Sequence, residues 1–180
     1  MKRGEDGYTP NMKELAALLN DMVAKGVITD YAVFGAVAQM RYTEAVATQE
    51  VDVLVALPEP DALDLLSRVY AFCEERGYRP EGEAVRIGDW PAQFIPAFSD
   101  LTEAAIRDAE TGDLDGVPLH VVRADYLAVI ALSVGRAKNF ARILALRESG
   151  AATDEQISGL ATRHGLAPAW SAFLERFDES

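Results

Sequence analysis

Two acids separated by one residue, Glu50 and Asp52, stand at the entry of an apolar run from Val51 to Leu57. Side chains alternate faces along a strand, so the two carboxylates project the same way, with α-carbons roughly 6–7 Å apart. Paired acids at the mouth of a buried strand are costly unless something positive sits between them. A divalent cation meets that need, because hard cations such as Mg²⁺ take carboxylate oxygens and leave positions open for phosphate. Upstream, the short apolar run Tyr31 to Phe34 turns at Gly35 into a small-residue helix start. Such a turn can bring backbone N–H groups and a helix N-terminus close to an anion. The alternative for Glu50 and Asp52 is a solvated strand end with no chemical role. A second informative stretch is 135–143, where Arg136, Lys138 and Arg142 concentrate positive charge in an acidic chain. Cations favoured by a helix C-terminus would explain it equally well.

Strand, Gly-small turn, helix, Thr, then acid-x-acid on a second strand is a layout that resembles the nucleotidyltransferase superfamily, the DNA polymerase β-like fold. It is similar in particular to the minimal kind associated with bacterial toxin and resistance systems. The family pattern of Gly-Gly or Gly-Ser followed by Thr-x-Asp-x-Asp reads here as Gly35-Ala36 and Thr48-Gln49-Glu50-Val51-Asp52. Ala36 replaces the second Gly or Ser, and Glu50 replaces the first Asp. The resemblance implies a mixed α/β (α+β) sheet core flanked by helices, with a helical C-terminal subdomain. It also implies Mg²⁺ (or Mn²⁺) on Glu50 and Asp52 and transfer of a nucleoside monophosphate from an NTP to a hydroxyl. The acceptor would be a small molecule, a protein or an RNA end. Gly35, Ala36 and Thr48 would cradle phosphate. The segment 135–143 looks like the family's cleft-lining Arg-x-Lys-Asp motif with Asn139 in place of Asp, so that Arg136 and Lys138 would grip triphosphate oxygens.

The third carboxylate of the family falls at Gln93, within Ala92-Gln93-Phe94-Ile95. Glutamine offers a carbonyl oxygen but no charge, which makes it a weaker metal ligand and no base. The rival reading is therefore a catalytically degenerate relative of the same fold, a binding or toxin/antitoxin-associated module. A third is a dimerising structural protein, a homodimer whose helical tail forms the interface.

The acidic balance, 29 acids against 17 bases for a net charge of −12, argues against holding long nucleic acid by general electrostatics, which needs Lys/Arg stripes. With 49% hydrophobic residues in 180, the chain can bury a sizeable core in one domain or one core plus an appendage. Cys73 is the single cysteine, so no internal disulfide forms. The longest apolar run, near Tyr126 to Ala131, is too short for a membrane span, and a cytoplasmic setting is expected.

The elements that must position these residues follow from periodicity. Residues 1–10 read as a loose arm, 11–124 as the α/β core and 125–180 as the helical subdomain. Asn11 caps a helix from Met12 to about Lys25. Asp61 caps another to about Arg76, with Leu63, Leu66, Val69, Tyr70 and Cys73 as its buried stripe. Glu83 to Ile87 and Trp90 to Ile95 flank the tight Gly88-Asp89 turn of a hairpin. A helix over Leu101 to Ala109 follows a Ser99 or Asp100 cap. Thr111 to Gly116 reads as a polar turn and Val117 to Val122 as a strand. Four helices close the chain: Asp125 to Val134, Asn139 to Arg147, Thr153 to His164 and Pro168 to Phe177. Arg41 reads as a surface residue, and His120 and His164 as structural.

Overall fold

A computed structural model describes residues 12–44, 47–59 and 64–178. The expected arm at 1–10, the Asn11 and Asp61 caps and Leu63 lie outside the described residues. Helix α1 (Met12–Ala24) buries Leu15, Leu18, Leu19 and Met22, the stripe that helical spacing demands. Strand β1 (Asp30–Phe34) then runs into helix α2 (Gly35–Gln39), and strand β2 (Val51–Ala56) follows. Helix α3 (Ser67–Glu75) leads to β3 (Arg79–Glu81) and to the hairpin of β4 (Ala84–Ile87) and β5 (Trp90–Pro96). Helix α4 (Asp100–Arg107) precedes a second hairpin, β6 (Glu110–Leu114) and β7 (Val117–Val121). Helices α5 (Ala124–Val134), α6 (Ala137–Glu148), α7 (Asp154–Arg163) and α8 (Ala167–Phe177) follow.

Among the described residues the strands form one seven-stranded mixed sheet in the order β3-β4-β5-β2-β1-β7-β6. The candidate strand β2 is thus central. It pairs antiparallel with β1, bringing Phe34 opposite Asp52, and parallel with β5, bringing Gln93 opposite Asp52. Val51, Val53, Leu54 and Val55 are all buried, as β-branched and aliphatic residues on a central strand should be. Tyr70 of α3 meets the Phe94 ring edge-on at 6.5 Å, so α3 covers the face shared by Val53 and Phe94. By alternation, Asp52 and Gln93 point to the opposite face.

The reading of Thr111 to Gly116 as a turn is corrected: Glu110–Leu114 is an edge strand, paired antiparallel with β7. Its ladder comes from the backbone and its side chains face water, so no apolar alternation marks it. The same holds for β3, whose three residues are all exposed. On α3 the buried stripe is Val69, Phe72 and Cys73, while Tyr70 is 38% exposed. The Arg76 guanidinium lies 3.3 Å from the centre of the Phe72 ring and bonds Asp21 of α1 at 3.1 Å, which turns that side of α3 toward α1. Ser99 is the cap of α4, accepting the Thr102 N–H. Helix α6 starts at Ala137, two residues ahead of expectation, because Asn139 accepts the Arg136 backbone N–H and closes the first turn. Buried residues from Met12 in α1 to Phe173 in α8 form one continuous cluster. No helix among the described residues is long and apolar enough to cross a membrane.

Candidate active centre

Gly35 is where the centre is built. Its φ of 69° is left-handed, and a Cβ placed on it would come within 2.6 Å of Asp52 Oδ2. Only glycine satisfies both conditions, so the corner after β1 and the Asp52 carboxylate touch each other directly. The antiparallel register that sets Phe34 opposite Asp52 makes this contact unavoidable.

Asp52 is half-buried. Burial first, and the neighbouring Glu50 charge second, push its pKa above the ordinary carboxylate value, while Arg142 and Lys138 pull it back. Glu50 is exposed at the entry of β2, and the Thr48 hydroxyl donates to the Glu50 carbonyl at 2.9 Å. Thr48 thus fixes the turn that presents Glu50. Gln93 stands beside Asp52 on β5, half-exposed on the same face.

The positive side comes from α6. Lys138 and Arg142 are one turn apart and both act on Asp52. Arg142 donates from Nε to Gln39 Oε1 at 2.9 Å, and Gln39, only 6% exposed, anchors it to α2. Burial draws the Arg142 guanidinium below its ordinary pKa, with Asp52 as the charge that opposes this. Arg136 sits outside the helix, exposed at the α6 N-cap, and is not among the groups acting on Asp52. The structure sets Gly35 and Gln93 beside Asp52, places Glu50 and Lys138 where their charges act on it, and puts Arg136 at the α6 N-cap, two residues before Lys138. Ala36 lies in the first turn of α2, next to Gly35. The sequence carries no signal for the pairing of Arg142 with Gln39; the four-residue step from Lys138 only sets Arg142 on the same face of α6.

No cluster of three His, Cys, Asp or Glu residues able to hold a metal exists among the described residues. The donor set is two carboxylates and an amide oxygen. That set fits one hard divalent cation whose remaining positions go to water and phosphate, the usual manner of Mg²⁺. Burial first and the Glu50 charge second raise the proton affinity of Asp52, and a cation bound between the two carboxylates would offset the second of these. Two cavities of about 260 and 410 Å³ lie elsewhere, and Glu50, Asp52, Gln93, Lys138 and Arg142 line neither of them.

No protein-family model and no curated protein matches the chain. Among solved structures, it is similar to the antibiotic-resistance factor ANT(2'')-Ia in solution, at 15% identity and a TM-score of 0.54, covering 95% of this chain and 99% of that one. It is also similar to ANT(2'')-Ia in complex with adenylyl-2''-tobramycin, at 15% identity and a TM-score of 0.51, over 92% of this chain and 98% of that one. An antigenic nucleotidyltransferase-like protein from Paracoccidioides brasiliensis matches at 14% identity and a TM-score of 0.53, over 93% of this chain and 94% of that one. The chain has the nucleotidyltransferase fold.

Proposed function

We propose that this chain is a nucleotidyltransferase that moves a nucleoside monophosphate from an NTP to an acceptor hydroxyl. The observation that carries the reading is Asp52. It stands on β2 half-buried against Gly35, next to Glu50, and is faced by the charges of Lys138 and Arg142 on α6. Acids on one wall and bases on the other suit a ligand with a cation and a polyphosphate in register.

Glu50 and Asp52 would hold a Mg²⁺ or Mn²⁺ ion, with Gln93 offering a neutral oxygen beside them. When bound, such an ion supplies charge neutralisation on the phosphate oxygens and lowers the pKa of an attacking hydroxyl. Lys138 and Arg142 hold the triphosphate and oppose the charge that builds as the acceptor oxygen bonds to the α-phosphorus and pyrophosphate leaves. Gly35 and Ala36 keep the corner free of bulk where phosphate approaches, and Thr48 holds the Glu50 loop in place. ANT(2'')-Ia binds adenylyl-2''-tobramycin, which favours a small-molecule hydroxyl as acceptor over a protein or RNA end.

A second reading rests on Gln93. An amide where the family places a third carboxylate, in register with Asp52, suits a relative that binds NTP without transferring it. One experiment separates the two. Thermal shifts with each NTP, with and without Mg²⁺ or Mn²⁺, should show metal-dependent stabilisation that Asp52→Asn abolishes. Pyrophosphate release by the parent then supports the transferase. Binding without release, with release appearing in Gln93→Asp, supports the second reading. Equal NTP response in Asp52→Asn and parent removes the centre altogether.

A further inference from the structure

The groove between the α4 C-terminus, the first turn of α5 and one face of α7 encloses about 260 Å³ and shares no lining residue with the Asp52 centre. Its inner wall is already satisfied. Arg123 pairs with Asp125 at 2.6 Å, and Asp125, 7% exposed, also accepts the Tyr126 N–H at 3.0 Å. The Tyr126 hydroxyl donates to Asp108. The outer wall is different. Glu155 and Arg163 both line the groove, both are exposed, and the side chain of neither makes a hydrogen bond or ion pair within the protein among the described residues. They lie on one face of α7 but two turns apart, about 12 Å along the axis, beyond the three- or four-residue spacing at which helix side chains pair.

Between them sits Gly159. Glycine is, proline aside, the least favourable residue in a helix interior. No left-handed turn explains it here: its φ is ordinary, and a Cβ would meet nothing within 4 Å. A residue that breaks a local rule with no local gain points to a use. At Gly159 the missing side chain leaves the groove open between an unpaired acid and an unpaired base.

We propose that this groove binds a small zwitterion, of amino-acid to short-peptide size, with its ammonium toward Glu155 and its anionic group toward Arg163. The one acid and the one base of the groove that lack a protein partner suit a ligand of opposite charges and no net charge. The volume admits a ligand smaller than a drug-sized one.

The test is a titration of the ¹⁵N-labelled full chain, read at the Gly159 and Gln156 amides. The probes are glycine, glycylglycine and triglycine, whose terminal charges are spaced by about 3.5 Å more per residue. N-acetylated and C-amidated forms of each lack one charge. At least one rung should shift the Gly159 amide, with each single-charge form about tenfold weaker. Gly159→Leu should fold and lose the response. Glu155→Gln should lose the preference against the N-acetylated form, and Arg163→Gln the preference against the amidated one. No shift from any rung, equal response to the singly charged forms, or a response that survives both charge substitutions overturns the proposal. NTP binding at Asp52 is unaffected by any of these outcomes.

Discussion

Asp52 sits partly out of water yet must carry charge to serve the chemistry proposed for it. Burial and Glu50 raise its folded-state pKa above the ordinary carboxylate value, so the folded chain holds that proton more tightly than the unfolded chain does. The resulting contribution to stability is fully present below the ordinary carboxylate range and is lost as pH rises through the folded-state pKa. An amide at this position cannot ionise. The stability of Asp52→Asn relative to the parent should therefore climb as pH rises through that window and then level off, by about 1.4 kcal/mol for each unit of pKa elevation. Urea denaturation at stepped pH checks this; a difference that stays flat means Asp52 carries no more burden than a surface carboxylate. The acid pair and the glycine corner were legible in the sequence because alternation along a strand and left-handed glycine turns are local properties. The contact between Gly35 and Asp52 was not, since it depends on the register that sets Phe34 opposite Asp52.

Helix α6 decides which bases face the acids. Its first turn begins at Ala137, so Lys138 and Arg142 share a face, while Arg136 belongs to the cap. Arg142 is further held by Gln39. Arg142→Ala should weaken metal-dependent NTP binding about tenfold, the scale of one hydrogen bond to a charged group. Arg136→Ala, an exposed charge, should change it by less than about twofold. Titration calorimetry with NTP and Mg²⁺ makes the comparison, and Arg142→Lys isolates the Gln39 bond from the charge. The reverse order of effects would return the phosphate role to Arg136. From sequence, the phase of α6 was hidden because Gly135-Arg136-Ala137-Lys138 reads as the interruption, whereas only Gly135 and Arg136 separate α5 from α6. The edge strands β3 and β6 were hidden for another reason. Arg79-Pro80-Glu81 and Glu110-Thr111-Gly112-Asp113-Leu114 bury almost nothing, and only their partners β4 and β7 make them strands.

At the scale of the whole chain, the sheet and the helical back meet at α5. That helix is buried along nearly its whole length, from Ala124 to Leu132. It packs on α2 and α4 toward the sheet and on α6, α7 and α8 toward the back. The boundary expected at 124/125 falls at the first turn of α5, which contacts elements on both sides of it. The two tryptophans report on the two sides separately: Trp90 lies on β5, and Trp170 is buried on α8 against Phe173 at 5.3 Å. If α5 ties the halves into one cooperative unit, unfolding followed by either tryptophan alone has the same midpoint. Trp90→Phe and Trp170→Phe leave one reporter each, and each urea midpoint, compared with far-UV circular dichroism of the same variant, should coincide with it. A fluorescence midpoint for Trp170 that falls well below the dichroism midpoint of the same variant would mean that α6 to α8 open on their own. The face carrying Lys138 and Arg142 would then close on the acids as a separate body rather than being fixed there by the core.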